Sequence, residues 1–172
     1  MESFPIEKSL KESIMDALEI SAPQIVEKLY VAKDQEEFQS ILKPHGIFFQ
    51  ITGKYLQSPF NHDQRKIQQI FRNLITNGLK YRREKITMTV SGETDLIVLV
   101  EDDGRGIPLE KQETIFERFV RLTDKKQPEV PGLGLGLAGV KTMVEAMGGE
   151  ITVVSQEGLG ARFTVRIPPL PP

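Results

Sequence analysis

Residues 96–108 have the sequence LIVLVEDDGRGIP, in which five apolar residues are followed at once by charged residues and glycines. The continuous apolar run predicts a fully buried strand. Asp102 and Asp103 stand where this strand ends, and Gly104 and Gly106 allow a sharp turn. Because successive strand side chains point to opposite faces, Asp102 is the better candidate to accept a hydrogen bond from a ligand amine. A simple turn is the alternative interpretation of the same residues.

A helix is predicted before this strand. Asn61, followed by Gln64 three residues later, resembles a capping box that opens a helix ending at Tyr81. Its apolar stripe consists of Ile67, Ile70, Phe71, Leu74 and Gly78.

A polar stripe lies beside the apolar one, at intervals of four, four and three residues: Gln69, Asn73, Asn77 and Lys80. It is either the solvated side of an amphipathic helix or a ligand site. In the second case, carboxamide oxygens would suit Mg²⁺, which takes only one or two protein ligands beside phosphates. Lys80 would then add a positive charge near the same phosphates.

Three alternating glycines in GLGLGL (132–137) precede a predicted helix that ends near Met147. A glycine-rich turn at a helix N-terminus exposes backbone N–H groups to phosphate. Two other glycine motifs fail here. The dinucleotide fingerprint GLGLAG (134–139) follows PEVP rather than a strand. In the near-match to a Walker A motif, Val140 shifts Lys141 and Thr142 out of register.

The rest of the chain predicts an alternation of helices and strands. An amphipathic helix is expected over residues 6–20, whereas residues 22–42 fit either one helix or a helix and a strand. Further strands are predicted at 47–52, 86–90, 151–155 and 161–167, and a polar, mobile loop at 123–131. This order is typical of an α/β fold.

Composition excludes several classes of protein. The length of 172 residues suits one domain and a short extension. The formal net charge of −2 gives no basic field for nucleic acid, and the absence of cysteine excludes disulfides and thiolate chemistry. No apolar run is long enough to span a bilayer, so a soluble, cytoplasmic chain is expected.

Taken in order, these stretches resemble the ATP-binding and catalytic domain of sensor histidine kinases, in the superfamily that includes gyrase B, the ninety-kilodalton heat-shock chaperone and MutL. The resemblance covers about residues 45–168. It rests on an N box (NLITNGLKY, 73–81), a first G box (DDGRGI, 102–107), an F box (IFERFVR, 115–121) and a second G box (GLGLGL, 132–137).

The resemblance implies a two-layer α/β sandwich, in which helices cover one face of a mixed β-sheet and a lid spans about residues 108–131. Residues 1–44 would be an N-terminal helical extension or linker. They would be either the end of a dimerisation helix with its linker or a separate partner-binding segment. Residues 169–172 would be a Pro-rich tail.

The resemblance also implies an Mg–ATP site. Asn77 would coordinate Mg²⁺, Asn73 and Lys80 would act on the phosphates as catalytic residues, Tyr81 would flank the nucleotide, and Asp102 would bind the adenine amine. The remaining nucleotide-binding residues would be Gly104, Gly106, Ile107, Gly132, Gly134, Gly136 and Leu137. Arg118 and Arg121 either reach phosphate or lie in solvent.

In such kinases the γ-phosphoryl group passes to a histidine on a separate dimerisation domain, and a response regulator is the next partner. Neither His45 nor His62 fits that histidine, because His62 is followed by Asp63 but has Lys66 at the position of the usual Thr or Asn. The chain is therefore expected to be either a fragment of a longer sensor kinase, which could be homodimeric and membrane-attached, or a stand-alone catalytic domain.

Two rival functions share the motifs. One is a protein serine kinase of the anti-sigma-factor type, and the other is a non-catalytic nucleotide-sensing or docking module. Gly78 stands where alanine is usual and would loosen the helix, and Arg82 and Arg83 form a basic cluster that either meets an acidic partner or is solvated. Relatives that hydrolyse ATP have glutamate at the position of Asn73, so fast hydrolysis is not expected.

Overall fold

The structure, a computed structural model, describes residues 2–117 and 133–172, and for residues 133–135 the backbone only. Five strands form one mixed sheet, in the spatial order β2 (Ile47–Ile51), β4 (Ile86–Ser91), β5 (Leu96–Asp102), β7 (Gly160–Ile167) and β6 (Glu150–Gln156). β2 pairs with β4 in parallel, and the other three pairs are antiparallel. The predicted mixed sheet of an α/β fold is confirmed.

Six helices accompany the described strands: α1 (Ile6–Ser21), α2 (Pro23–Tyr30), α3 (Gln35–Leu42), α4 (Gln64–Tyr81), α5 (Leu109–Gln112) and α6 (Leu133–Ala146). α4 contacts β4 and β5, α6 packs beside it against β6 and β7, and α1 packs against α4. None of the helices in the described ranges combines the length and apolar character needed to cross a membrane.

The segment from residue 22 to 42 forms two helices and no strand. Pro23 occupies the first turn of α2, where its missing N–H costs nothing. Asp34 begins α3, because its carboxylate accepts a hydrogen bond from the Glu37 N–H at 2.9 Å.

α1 shares the core of the sheet. Its residues Ile6, Leu10 and Ile14 are fully buried and belong to the same apolar cluster as the strands. The predicted domain boundary at residue 44 stays a prediction.

The prediction that β5 is fully buried is wrong. Leu96, Val98 and Val100 are at most 3% exposed, whereas Ile97 and Leu99 are only half-buried. Helices cover one face of the sheet, so every second apolar side chain of β5 faces the more open side.

The predicted capping box at Asn61 is also wrong. The cap of α4 is Asp63, whose Oδ1 accepts hydrogen bonds from the N–H groups of Arg65 at 3.1 Å and Lys66 at 3.3 Å. Asn61 instead lies in β3 (Phe60–His62), which pairs with β1 (Glu2–Phe4) in a small antiparallel sheet that the sequence did not reveal.

Asn61 anchors the C-terminal tail to this small sheet. Its side-chain amide donates hydrogen bonds to the carbonyls of Leu170 and Pro171, each at 3.1 Å. The N–H of Leu170 donates in return to the Asn61 carbonyl at 3.0 Å. The proline-rich tail is therefore attached to β3 while adding no strand of its own.

Glutamine side chains contact both edges of the five-stranded sheet. Gln39 of α3 donates its amide to the Phe49 carbonyl of β2 at 2.9 Å. Gln112 of α5 donates to the Ser155 carbonyl of β6 at 3.0 Å and to the Ile107 carbonyl at 2.9 Å.

Candidate functional site

A cleft of about 390 Å³ lies between the end of α4, the loop that follows β5, and the hairpin of β6 and β7. Five residues predicted to bind nucleotide line it together: Asn77, Tyr81, Asp102, Gly106 and Ile107. The cleft is thus built from two of the sequence motifs, which the fold brings to the same end of the sheet.

Asp102 is the half-buried carboxylate of this cleft. Burial raises its pKa above the usual value, and hydrogen bonds from the backbone N–H groups of Gly104 and Ala161 act in the opposite direction. The Gly104 N–H donates to Oδ1 at 2.9 Å. A carboxylate that has lost part of its hydration gains from a ligand N–H donor, so Asp102 is suited to binding an amine.

Asp103 points away from the cleft, as the strand alternation predicts. Partial burial would raise its pKa, but hydrogen bonds from the N–H groups of Lys85, Glu84 and Arg83 hold the pKa below its usual range. Its Oδ1 lies 3.0, 3.1 and 2.9 Å from these nitrogens, respectively. Asp103 therefore fixes the connection between α4 and β4.

Two glycines allow the loop after β5 to fit between its neighbours. A Cβ atom on Gly104 would lie 2.1 Å from the backbone oxygen of Tyr81. Gly106 has a φ of +77°, and a Cβ there would lie 2.3 Å from the carbonyl oxygen of Gln156. Any side chain at either position would push the loop away from α4 or from the hairpin.

Ser155 of β6 ties the loop to the hairpin. Its hydroxyl accepts a hydrogen bond from the Ile107 N–H at 2.8 Å and donates to the Gly160 carbonyl at 2.7 Å. These bonds hold Ile107, which is 4% exposed, at the wall of the cleft.

α4 supplies Asn77 and Tyr81 to the cleft. Asn77 is 7% exposed, although its side chain is polar. The ammonium of Lys80 lies 5.2 Å from the centre of the Tyr81 ring. Burial raises the pKa of Tyr81, and the positive charge of Arg105 opposes this shift. The phenol therefore stays neutral near neutral pH.

Gly78 leaves no gap in this wall. A Cβ on Gly78 would lie 2.4 Å from Cδ1 of Ile86, so the Ile86 side chain fills the space an alanine methyl would use. We expected Gly78 to loosen the helix. In the structure it allows α4 to lie close to β4 at Ile86.

Five predicted residues do not belong to the described cleft lining: Asn73, Lys80, Gly104, Gly136 and Leu137. Asn73 and Lys80 are half-buried on α4, and Gly136 and Leu137 belong to α6. The predicted glycine turn before α6 is shorter than expected, because α6 begins at Leu133 and so includes Gly134 and Gly136.

Several predictions fall on residues 118–132, outside the described part of the chain. They concern Arg118, Arg121, Gly132 and most of the lid. In the described part of the F box, residues 115–117, Phe116 meets Phe163 edge-on at 6.1 Å between ring centres.

Six cleft residues were not foreseen from the sequence: Arg105, Pro108, Lys111, Glu157, Ala161 and Phe163. Arg105 lies within the first G box and Pro108 directly follows it. Their proximity to this motif is the sequence feature that could have predicted their place in the cleft. Glu157, Ala161 and Phe163 come from the distant hairpin, and no local pattern marks them.

Asn77 suits one ligand position of Mg²⁺. Its carboxamide oxygen is a hard ligand on a cleft wall, and Mg²⁺ usually combines one or two such ligands with water and phosphate oxygens. Among the described residues no three His, Cys, Asp or Glu side chains form a metal-binding group. Asn77 would therefore fill one ligand position of a metal whose other ligands are water and phosphate oxygens.

Comparison with known proteins gives a match to one family model. Residues 62–171 match the model described as histidine kinase-, DNA gyrase B- and HSP90-like ATPase. The chain is 35% identical over 150 residues to the sensor histidine kinase WalK of Bacillus subtilis, covering 84% of this chain and 23% of that protein. It is 38% identical over 110 residues to the sensory kinase SasA of Prochlorococcus marinus, covering 62% of this chain and 29% of that protein.

Solved structures share the fold. The mycobacterial sensor histidine kinase MprB matches with a TM-score of 0.66 and 21% identity, over 99% of this chain and 100% of that one. The catalytic domain of histidine kinase ThkA matches with a TM-score of 0.63 and 24% identity, over 98% of this chain and 97% of that one. Full-length ShkA in complex with AMPPNP matches with a TM-score of 0.66 and 23% identity, over 100% of this chain and 32% of that one.

The chain spans 23% and 29% of the lengths of the two curated relatives, so the comparison concerns one part of those proteins. The region matched by the family model contains the N box and the first G box, which carry the cleft residues on α4 and after β5. The chain therefore belongs to the histidine kinase-, DNA gyrase B- and HSP90-like ATPase family, as a homologue of the catalytic ATP-binding domain of sensor histidine kinases.

Proposed function

We propose that this domain binds Mg–ATP in the cleft and donates its γ-phosphoryl group to a histidine on a separate dimerisation domain. The observation that carries the proposal is the cleft itself, in which Asp102, Ile107, Tyr81 and Asn77 meet. These residues come from separate motifs, and together they offer an amine acceptor, apolar walls and an oxygen ligand.

The base end of the cleft surrounds Asp102. Its carboxylate would accept a hydrogen bond from the exocyclic amine of adenine, while Ile107 and Phe163 supply apolar contacts to the ring. Guanine has a carbonyl oxygen where adenine has this amine. The same carboxylate would therefore disfavour GTP, because two acceptors would face each other.

The phosphate end would begin at Asn77. Asn77 would hold Mg²⁺, and Asn73 and Lys80 on the same helix would stabilise phosphate charge. Gly132, Gly134, Gly136 and Leu137, with Arg118 and Arg121, would complete the phosphate site. In the transfer, a histidine nitrogen bonds to the γ-phosphorus as the bond to the ADP oxygen breaks, and catalysis rests on positioning and charge. Asn73 cannot act as a general base toward water, which favours transfer over hydrolysis.

The proposed partners are the histidine-bearing dimerisation domain and, after it, a response regulator, with the domain working in the cytoplasm. Two of the three residues that suggested a docking module, Gly78 and Arg82, have structural roles. Gly78 contacts Ile86, and Arg82 donates a hydrogen bond from Nη1 to the His45 carbonyl at 2.7 Å. This supports the catalytic role over the docking role.

Calorimetric titration with a non-hydrolysable ATP analogue tests the cleft. Asp102→Asn should weaken binding by about 100-fold or more, because the amide presents a donor to the adenine amine and loses the negative charge. Asp103→Asn is the matched control, since the adjacent carboxylate faces away from the cleft, and it should bind as wild type does. Equal effects of the two substitutions would contradict the proposed base site.

Phosphoryl transfer needs a second experiment. The chain is incubated with ATP labelled on the γ-phosphate and with the purified histidine-bearing domain of a similar sensor kinase. The expected product is labelled on that domain and loses its label in acid, because phosphohistidine is acid-labile. Acid-stable label on serine would identify the serine-kinase alternative.

A further inference from the structure

Arg105 lies between the two glycines of the loop after β5 and lines the cleft beside Tyr81. We propose that Arg105 is a further binding residue of this cleft, and that its guanidinium covers the purine base rather than the phosphate chain. The inference rests on the proposed function, because it names a contact within the same nucleotide site.

The backbone of Arg105 is held on both sides. Its carbonyl accepts a hydrogen bond from the Gly158 N–H at 2.7 Å. Gly104 on one side lies against the Tyr81 carbonyl, and Gly106 on the other lies against Gln156. The side chain of Arg105 therefore starts from a fixed point, between the end of α4 and the tip of the hairpin.

Arg105 lies on the Tyr81 side of the cleft, because the preceding Gly104 lies against the Tyr81 carbonyl. Burial raises the pKa of Tyr81, and the positive charge of Arg105 opposes this shift, in agreement with that placement. The Arg105 side chain is exposed and lines the cleft rather than packing into the core. It thus borders the space that a bound ligand would fill.

This location is at the base end of the cleft. Asp102, the proposed amine acceptor, is the last residue of β5 and accepts the N–H of Gly104, the neighbour of Arg105, at 2.9 Å. Asn77, the proposed metal ligand, is one helical turn before Tyr81 on α4. Arginine is suited to covering a base, because its planar guanidinium stacks on aromatic rings. Tyr81 and Arg105 would then enclose the part of the base that Asp102 does not contact.

The test compares nucleotides with and without phosphates. Adenosine and ATP each displace a fluorescent ATP analogue from wild type, Arg105→Met, Arg105→Lys and Arg83→Met. Arg105→Met keeps the apolar stem but lacks the guanidinium, and it should weaken both ligands by the same factor, about three- to tenfold. Arg105→Lys keeps the charge and should recover only part of this loss, because the ammonium is not planar.

Arg83→Met is the matched control. Arg83 is an exposed arginine outside the cleft lining, and its replacement should leave both affinities within about twofold of wild type. The melting temperatures of all variants are compared, and equal values show that any lost affinity comes from the contact and not from unfolding.

Two results would overturn the inference. If Arg105→Met weakened ATP but left adenosine unchanged, the guanidinium would serve the phosphates. If neither ligand changed, the guanidinium would have no part in nucleotide binding. Absence of nucleotide binding by the wild-type chain is a different outcome, which would reject the proposed function itself.

Discussion

The two ends of α4 each hold a buried polar side chain, but of the two only Asn77 lines the cleft described above. His62, just before the helix, is 5% exposed, and Asn77, in its last turns, is 7% exposed. The His62 ring stacks on Phe60 at 5.9 Å, and its Nε2 has no hydrogen-bond partner in the described part of the protein. Asn77 lines the 390 Å³ cleft. Burial of a polar group therefore indicates a ligand site only where open space adjoins it.

Among the substitutions proposed here, the largest effect on stability and nucleotide binding is expected at Gly104, where the end of α4 meets the loop after β5. In Gly104→Ala, the new Cβ would lie 2.1 Å from the Tyr81 oxygen, which belongs to backbone and cannot rotate away. We expect a loss of about 1–3 kcal/mol in the free energy of unfolding, measured with urea, together with loss of nucleotide binding.

Gly139→Ala is the control for this prediction. Gly139 lies in α6, and a Cβ there would meet no described atom within 4 Å. Because alanine favours helix by about 1 kcal/mol over glycine, this variant should be as stable as wild type or more so. A Gly104→Ala protein of wild-type stability would show that the end of α4 is less constrained than its contacts indicate.

The next effect concerns Asn77. Asn77→Ala should lower the affinity for the Mg–ATP analogue about tenfold, because one oxygen ligand of the metal is lost, and should leave metal-free binding nearly unchanged. Calorimetry with and without Mg²⁺ measures both. Gln69→Ala, at an exposed position of the same polar stripe, should retain the full dependence on Mg²⁺.

At the opposite end of α4, His62 should make the stability of the protein depend on pH, without affecting nucleotide binding. Burial lowers the pKa of His62, with the charge of Asp63 raising it and that of Lys66 lowering it. The unfolded chain, in which the pKa is about 6.5, therefore binds this proton more readily than the folded protein. Stability should fall as the pH drops through about 6.5, by at most about 1.4 kcal/mol per pH unit, and the loss should stop below the folded-state pKa.

His62→Asn isolates this effect. The Asn side chain keeps an acceptor near the position of Nδ1, which accepts the Asp63 N–H at 2.9 Å in wild type. Urea unfolding between about pH 7.5 and 5.5 should show a flatter pH dependence for the variant. Nucleotide affinity should be unchanged, and a persisting slope would mean that another group titrates.

The smallest effect is expected at the neighbouring Asn61. Asn61→Ala removes two hydrogen bonds to the tail but keeps the backbone bond from the Leu170 N–H. We expect a cost of about 1 kcal/mol or less. Leu170 alone among residues 168–172 has a backbone N–H, so its hydrogen exchange by NMR reports on the tail and should become faster. An unchanged rate would show that the side-chain bonds do not hold the tail.

Much of the cleft could be predicted because it depends on local periodicity. Alternation along β5 separates Asp102 from Asp103, and helical spacing places Asn77 one turn before Tyr81. Both arrangements are present in the structure. They follow from the geometry of single elements, which the sequence encodes directly.

The rest depends on contacts between distant segments. Glu157 and Phe163 reach the cleft because the hairpin approaches the Gly106 loop, and no local pattern announces that approach. β1 and β3 have three residues each, too few to show alternation. In the sequence they are separated by α1, α2, α3 and β2. The apolar run of β5 likewise gave no sign of which face the helices would leave open.

The glutamines at the two sheet edges limit how molecules of this protein can associate. An edge strand normally offers its free carbonyls to a strand from another molecule. Here the Phe49 carbonyl of β2 and the Ser155 carbonyl of β6 already accept amides from Gln39 and Gln112. Intermolecular strand addition at either edge would first have to break one of these bonds and displace a helix, which favours a sheet that ends within its own molecule.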